Sequence, residues 1–402
     1  MRLTILEPLR HRDFRLLWVG QSVSMLGNAL YSVALPFQIL QLKGTPLQLG
    51  TGFTIYSIAQ LLTILFGGAI VDRLPRRRVI LATDLVSAVV VGAVAGLGLT
   101  GRLEIAHLYV ASAFFGAAFS FYTPAMSAIM PELVPNEVLV PGNALRGLSG
   151  QTARVIGPLL GGLIVTAAGP PVAFALDAAS FAISFGVFFF ARPPRHEAPP
   201  PMPLLAQIRE GVSFTFSVTW LWVAIVGFAV TNGFYFAGFT VALPLLVLKV
   251  LMGTPATFGF IGTAAGLGEV VGGLLVGNLK IKRLGIGIYT FSGLLGAGFA
   301  GYGIAPVLPV ILVAAFAFAV AIIMANTLWE SALQKHVPRR LLGRVNSVDS
   351  FGSYLVAPVA PILAAAAIGR VGPGAIFLIG GLFSFAWWMG ALLLVRSVRE
   401  LE

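Results

Sequence analysis

The stretch GGAIVDRLPRRR at residues 67–78 recurs in altered form as GGLLVGNLKIKR at residues 272–283. Each copy closes one long apolar run, and its basic residues separate that run from the next. Further matches follow in the same order at offsets of 203 to 209 residues. They include Ala34-Leu35-Pro36 with Ala242-Leu243-Pro244, and Gly44-Thr45-Pro46 with Gly253-Thr254-Pro255. An ordered series at a nearly constant offset indicates a duplicated unit.

The composition indicates a membrane protein. Of the 402 residues, 57% are hydrophobic and only 10% are charged, and the mean hydropathy is +0.93. A water-soluble globule cannot bury that much apolar surface, so lipid must be part of the solvent. The 47 glycines and 25 prolines are tolerated in membrane helices because neighbouring helices satisfy the freed backbone groups. The apolar runs do not alternate with polar residues, which argues against a transmembrane β-barrel.

Twelve apolar runs are long enough to cross a hydrocarbon core of about 30 Å. We therefore predict an all-α membrane protein with twelve transmembrane helices in two pseudo-symmetric six-helix bundles. The bundles comprise residues 1–191 and 218–402, and the cytoplasmic linker 192–217 between them contains a short amphipathic helix near 203–214. The predicted spans are 16–41, 48–71, 79–100, 104–129, 145–168, 171–191, 218–248, 256–279, 286–305, 307–329, 346–368 and 374–395.

The net charge of +11 is explained by topology. If the amino terminus is cytoplasmic, 21 of the 26 lysines and arginines fall in segments on that side of the membrane, as the positive-inside rule requires. Both termini are then cytoplasmic, and the surplus charge no longer indicates nucleic-acid binding. Because the chain has no cysteine, disulfides and thiol chemistry are excluded.

Two motifs resemble the major facilitator superfamily of transporters. The loop GGAIVDRLPRRRVI at residues 67–80 is similar to the family's loop signature between its second and third helices, with Pro75 where the family often has glycine. Residues 157–162, GPLLGG, are similar to a glycine-proline motif of exporters and antiporters. The resemblance covers the whole chain and is greatest for the branch that contains enterobactin exporters and macrolide or multidrug efflux pumps. It implies alternating access and favours export over import.

The resemblance also suggests gating residues in the loop and in the fifth span, and Asp349 is added because it lies at a cytoplasmic helix end, where a charge could stabilise the inside gate. The Asp72 carboxylate would accept hydrogen bonds from the amino terminus of the eleventh span, near Asn346. The basic residues of the loop would pair with Glu132 or reach lipid headgroups. Alternatively, the arginines only set topology, and the glycines of the fifth span only allow ordinary close packing. The predicted gating residues are Asp72, Arg73, Arg76, Arg77, Glu132, Gly157, Pro158, Gly161, Gly162 and Asp349.

Ionisable residues inside the spans are candidates for proton coupling because burying a charge in the membrane costs a few kcal/mol. Glu269 near the centre of the eighth span is the preferred proton carrier, with Arg154 of the fifth span as its expected partner. The alternative is a static ion pair that holds the halves together. Asp177 and Asp84 are secondary candidates, although Asp84 could instead complete the charge network of the arginine loop. Ser112 stands where drug-exporting members often carry an arginine, which weakens the family's usual assignment of the proton relay.

These features predict a proton-coupled secondary transporter that exports a bulky amphipathic small molecule of drug or siderophore type. A lysophospholipid or other lipid transporter is the alternative, and a membrane-embedded enzyme or a receptor is a remote one. The expected partners are a small-molecule substrate, protons and lipids of a bacterial inner membrane, with a monomer, no nucleic acid, no cofactor and no metal. Amide and aromatic side chains suit an amphipathic substrate, although many could face lipid. The substrate-binding candidates are Gln21, Asn28, Tyr31, Tyr56, Phe119, Tyr122, Asn232, Tyr235, Asn326 and Trp329.

Overall fold

The structure is a computed structural model that describes residues 4–71, 74–193, 204–279, 281 and 283–401, and for residues 4, 64–71 and 204–208 it describes the backbone alone. These ranges are helical and contain no strand. After a short 3-10 helix (Thr4–Arg10), the helices of the amino-terminal part are α1 (Arg12–Gln41), α2 (Pro46–Val71), α3 (Arg76–Leu99), α4 (Ile105–Leu133), α5 (Asn136–Ala168) and α6 (Pro170–Phe188).

The remaining helices begin with α7, which occupies the second part of the predicted linker. They are α7 (Leu204–Ser217), α8 (Thr219–Ala237), α9 (Leu243–Leu245), α10 (Pro255–Asn278), α11 (Leu284–Ile304), α12 (Leu308–His336), α13 (Leu342–Ser353), α14 (Ala360–Val371), α15 (Pro373–Leu394) and α16 (Arg396–Arg399). Two π-helical segments, Gly238–Ala242 and Leu246–Val250, flank α9. They join α8 and α9 into a continuous helix, Thr219–Val250.

Ten helical segments in the described ranges are long and apolar enough to cross a membrane, and Ala360–Val371 is a shorter apolar helix. The 26-residue helix α2 occupies the predicted second span. The predicted all-α membrane architecture is confirmed, and ten of the twelve predicted spans match helices to within a few residues, apart from a seven-residue extension of α12 at its carboxyl end.

The fifth and eleventh spans differ from the prediction. Helix α5 begins at Asn136 rather than near residue 145. The residues that precede the predicted span add about two and a half turns, and they mix polar side chains with Val138, Leu139 and Val140, so they do not form part of a continuous apolar run. The eleventh span is not continuous: α13 and α14 are separated by a turn at 354–359. Pro358 and Pro361 lack the N–H groups that an unbroken helix would need there, and Pro361 instead lies in the first turn of α14, where that loss costs nothing.

The chain forms two compact units. The first comprises Met1–Pro200 with Thr254–Thr263, and the second comprises Pro201–Gly253 with Ala264–Glu402. Each has its own apolar core. In the first unit, Phe14, Ile80, Ile129 and Phe188 belong to one buried cluster, and in the second unit an aromatic-rich cluster contains Trp220, Phe228, Tyr289, Trp329 and Trp388. The predicted bundle boundaries within 192–217 stay a prediction.

Helices α11 and α15 of the second unit pack through glycine. A Cβ atom on Gly296 would lie 2.6 Å from the amide nitrogen of Phe385, and one on Gly381 would overlap the backbone of Ala300. Membrane helices gain little from the hydrophobic effect between themselves, so close backbone approach through small residues is a main source of their attraction.

We expect Gly381→Ala to lower the free energy of unfolding by about 1–3 kcal/mol, because the new methyl group must displace backbone rather than a side-chain end. The measurement is thermal unfolding of the purified protein in detergent. Gly390→Ala in the same helix is the matched control, since a Cβ there meets nothing within 4 Å. Equal melting temperatures for the two variants would contradict this account of the packing.

Candidate functional site

A chain of hydrogen bonds crosses the first unit through four helices. Tyr122 of α4 donates to Oε1 of Gln21 on α1. The Nε2 of Gln21 donates to Oγ of Ser184 on α6 at 3.2 Å, and that hydroxyl donates to Oδ2 of Asp84 on α3 at 2.7 Å. Gln21, Ser184 and Asp84 are each at most 3% exposed. Because these polar groups are buried together, each depends on the others for hydrogen bonds.

The spacing of polar residues on α6 explains why this chain forms. Asp177, Ser180 and Ser184 recur every three or four residues and are all buried, so they lie on one face of the helix. Helix α1 approaches this face through Gly20 and Gly27. A Cβ on Gly20 would lie 3.0 Å from Cα of Ser184, and one on Gly27 would overlap Oγ of Ser180. Close contact between the two helices therefore encloses the polar groups.

Asp177 lies on this face one turn before Ser180. The Ser180 hydroxyl donates to the Asp177 carbonyl oxygen at 2.8 Å and lies 3.4 Å from Oδ1 of the same residue. Within the described part of the chain, Oδ2 of Asp177 has no hydrogen-bond partner, nor does the nearby hydroxyl of Tyr31. A fully buried carboxyl oxygen without a donor is uncommon, which makes Asp177 a functional candidate by its position and not only by its charge.

Two predicted gating residues of the arginine loop, Arg76 and Arg77, lie in the first turn of α3. Arg76 forms an ion pair with Glu132 near the end of α4 and donates to the Ala128 carbonyl at 3.0 Å. Arg77 donates to the carbonyl of Phe189, and its guanidinium lies 5.7 Å from the centre of the Phe189 ring. Asp72 and Arg73 lie outside the described residues. The loop thus ties α3 to the carboxyl ends of α4 and α6.

The glycine-proline motif of α5 makes two close approaches inside the first unit. Gly157 and Gly161 face α1, where Cβ atoms would meet Ala29 and Val33. Gly162 faces the first turn of α10, and a Cβ there would lie 2.6 Å from the Pro255 carbonyl oxygen.

Hydrogen bonds support the contact between α5 and the start of α10. Thr166 accepts from the Ala256 amide at 2.9 Å, and Thr263 donates to the Val155 carbonyl at 2.8 Å. Pro158 is close to this contact, because a Cβ on Gly262 would lie 2.6 Å from the Pro158 Cβ. This geometry suits either gating or static packing, so the gating role of the motif stays a prediction.

Asp349 lies in a polar cluster of the second unit. Its carboxylate accepts from Nε1 of Trp329 at 2.9 Å and from Oγ of Ser353 at 3.1 Å. The Ser353 carbonyl in turn accepts from Nδ2 of Asn232 at 3.1 Å. These bonds join α12, α13 and α8 just before the break in the eleventh span. Two predicted substrate-binding residues, Asn232 and Trp329, therefore hold helices together.

The other predicted residues are distributed between the two units. Tyr31 and Tyr235 are buried, and Tyr235 shares a hydrogen bond with Ser384. Tyr56 is partly buried, whereas Asn28, Phe119 and Asn326 are exposed. Arg154 is exposed on α5 of the first unit and donates to Gln151 at 3.3 Å. Glu269 is partly buried on α10 within the second unit. Their pairing stays a prediction.

A family model for the Major Facilitator Superfamily matches residues 17–356. The chain belongs to the major facilitator superfamily. This confirms the resemblance drawn from the two motifs and the fold class drawn from the spans. Members of this superfamily are transporters, so the protein is a membrane transporter and not an enzyme.

Relatives with assigned functions are similar over nearly the whole chain. The enterobactin exporter EntS of Salmonella typhimurium is 25% identical over 384 residues, covering 92% of this chain and 91% of that protein. EntS of Escherichia coli O1:K1 is 27% identical over 383 residues, covering 89% of each chain. These proteins belong to the branch suggested by the motifs.

Solved structures share the fold at low sequence identity. The nucleoside transporter NupG aligns with a TM-score of 0.75 at 11% identity, covering 96% of this chain and 99% of that one. A bacterial homologue of the iron transporter ferroportin in an inward-facing state aligns with a TM-score of 0.71 at 15% identity, covering 94% and 98%. At such identities the likeness concerns the fold alone.

Ser184 was not among the residues predicted from the sequence, although it stands at the centre of the polar chain. The signal that could have found it is the helical spacing of Asp177, Ser180 and Ser184 in an otherwise apolar helix. Its partners Gln21, Asp84 and Tyr122 were predicted as site residues, but the sequence could not show that they meet, because their contacts depend on how the helices pack.

We expect Ser184→Ala to lower the free energy of unfolding by about 1–3 kcal/mol, because it removes the hydrogen-bond partner of the Gln21 Nε2 and of the Asp84 Oδ2, both buried. Thermal unfolding in detergent measures the change. Ser32→Ala is the control: among the described residues, the exposed Ser32 hydroxyl donates only to the Ala29 carbonyl of its own helix, so a change within about 0.5 kcal/mol is expected. Ser184→Ala behaving like this control would show that the buried chain contributes little to stability.

Proposed function

We propose that this transporter exports a bulky amphipathic small molecule, of siderophore or drug type, by proton-coupled alternating access. The observation that supports this best is the similarity to enterobactin exporters over about nine-tenths of both chains. The glycine-proline motif of α5 supports the outward direction. In this proposal, both termini lie on the cytoplasmic side of a bacterial inner membrane, and a monomer carries out transport.

Proton coupling is assigned to the ionisable residues that lie within spans. Glu269 is the proposed main carrier, because it is a partly buried carboxylate in an apolar helix and the cost of placing it there requires a function. Its proposed partner is Arg154, which competes with the proton for the carboxylate. The other half of the duplicated sequence offers no equivalent acid, since the repeat offset of 205 residues brings Glu269 to Ile64.

Asp84 and Asp177 are the proposed second proton site. Both are buried carboxyl groups of the first unit, and Asp84 ends the hydrogen-bond chain that begins at Tyr122. A chain of hydroxyl and amide groups can pass a change in protonation from one helix to its neighbours, because each member donates a hydrogen bond to the next and a changed charge at one end alters every bond. This supports a role for the chain in sensing protonation within the first unit.

The gate is assigned to the arginine loop and to Asp349. The pair of Arg76 with Glu132 has side chains only 18% and 15% exposed, so its Coulomb energy is less screened than that of a surface pair. We propose that Asp72, Arg73 and Arg77 act with it as a latch that forms in one conformation and opens in the other. Substrate contact is assigned to the exposed or partly exposed candidates of the spans, Asn28, Tyr56, Phe119, Tyr122 and Asn326.

We expect Glu269→Gln to abolish efflux driven by a pH gradient, because the amide keeps the size of the side chain but cannot take up or release a proton. Inverted vesicles are acidified inside, and the uptake of enterobactin, a macrolide and a cationic dye is followed separately. Glu7→Gln, a change of the same kind at an exposed residue, is the control and should retain full transport. Gradient-driven uptake by Glu269→Gln at the wild-type rate would rule out its role.

A double-mutant cycle tests the latch. Arg76→Gln, Glu132→Gln and their combination should reveal a coupling energy of about 1–3 kcal/mol in unfolding. The exposed pair of Arg396 with Glu400, 83% and 58% exposed, should give about 0.5 kcal/mol or less under the same conditions. A latch also requires that both single variants change the transport rate. Normal rates in variants with a large coupling energy would make the pair a static brace.

A further inference from the structure

A cavity of about 710 Å³ lies in the second unit beside the amphipathic helix α7. Its other wall is the connection between α12 and α13. The lining residues are Arg209, Glu210, Ser213, Phe214, Ser217, Arg340 and Leu341. None of them belongs to the spans or to the residues assigned to transport, so the cavity needs a separate explanation.

The charges around this cavity leave a positive surplus. Glu210 is its acidic residue, and that carboxylate is already shared by two arginines: Oε1 lies 3.5 Å from Nη1 of Arg340, and Oε2 pairs with Arg344. Arg209 is exposed and forms no ion pair with any residue in the described ranges. The Arg209 guanidinium, and the N–H groups of the largely exposed Arg340 that do not face Glu210, are therefore available to a ligand that brings negative charge.

The arrangement of residues around α7 places an apolar surface beside these charges. Successive residues of a helix are about 100° apart, so Phe216 and Arg209 project in nearly the same direction, with Ser213 and Ser217 on one side of them and Val212 on the other. Phe216 is 65% exposed and Val212 is 36% exposed. A helix with basic, hydroxyl and exposed apolar residues in this order is typical of a segment that lies in the membrane interface.

Helix α7 is also held directly on the first turn of α13. A Cβ on Gly211 would lie 3.0 Å from the Arg344 carbonyl oxygen, and the Glu210–Arg344 pair closes the same contact. The walls of the cavity are thus fixed relative to each other by a close backbone approach and an ion pair. A ligand that bridges Arg209 on one wall and Arg340 on the other meets a pre-organised site.

We propose that this cavity binds the headgroup of an anionic glycerophospholipid from the surrounding leaflet, as a bound lipid and not as transported cargo. The phosphodiester lies between Arg209 and Arg340, with Ser213 as a hydroxyl donor, and the acyl chains follow Val212 and Phe216. The chemistry of the cavity alone would equally suit free phosphate. The exposed apolar pair next to the arginines favours the lipid.

The experiment uses the full chain, purified in detergent and titrated with phosphatidylglycerol, and native mass spectrometry counts the bound lipid. Phosphatidylcholine is the neutral comparison, and inorganic phosphate in large excess is the competitor. The test variant is Arg209→Gln with Arg340→Gln. The matched control is Arg339→Gln, since Arg339 is an exposed arginine of the same connection that does not line the cavity.

We expect phosphatidylglycerol to bind in preference to phosphatidylcholine, and the double variant to bind it about 25-fold more weakly, at about fivefold for each arginine near a membrane surface. Arg339→Gln should change binding by less than about twofold. Equal binding of the two lipids, equal loss in test and control variants, or displacement of the lipid by inorganic phosphate would each overturn the proposal. An unchanged melting temperature in phosphatidylcholine checks that the double variant is folded.

Discussion

The absence of water in the hydrocarbon core of a bilayer is the constraint on which the rest of this structure depends. Every backbone N–H and C=O group at that depth must find its partner within the protein, and helices achieve this within one segment. The described ranges are accordingly helical, with short connections at the ends of the spans. Where the eleventh span breaks at 354–359, two nearby prolines remove the donors that a continuous helix would use.

The same absence of water changes what holds the helices together. Burial of apolar side chains brings little gain when lipid tails are equally apolar, so packing and buried hydrogen bonds must contribute more. Gly381 and Gly296 let α11 and α15 approach at backbone distance, and Gly20 and Gly27 do this for α1 and α6. The close approach of α1 to α6 also encloses Ser184, Asp84 and Asp177. Close packing and the burial of functional groups are therefore two effects of the same glycines.

The two halves of the duplicated sequence differ in the charged residues of their spans. Both halves of the sequence repeat the loop motifs and the apolar runs, but the costly charges are not repeated: at the repeat offsets, Asp177 meets Gly380 and Arg154 meets Ala357. A shared fold needs only the common residues. In the proposed mechanism, proton coupling and gating need differences between the halves, because a proton-coupled transporter must respond to a proton at one place and move at another. The positively charged cavity beside α7 is likewise confined to one unit and lies outside the transport machinery.

The sequence by itself determined the membrane class, the family and most of the helix boundaries, since these depend on composition, on the length of apolar runs and on local motifs. The early start of α5 at Asn136 escaped prediction because its first turns mix polar and apolar residues and so do not form a continuous apolar run. Only the tertiary structure decided that Gln21, Tyr122, Ser184 and Asp84 form one chain, and that Trp329 binds Asp349. The physical reason is that such partners lie on different helices, and which helix faces meet depends on packing that no single segment encodes.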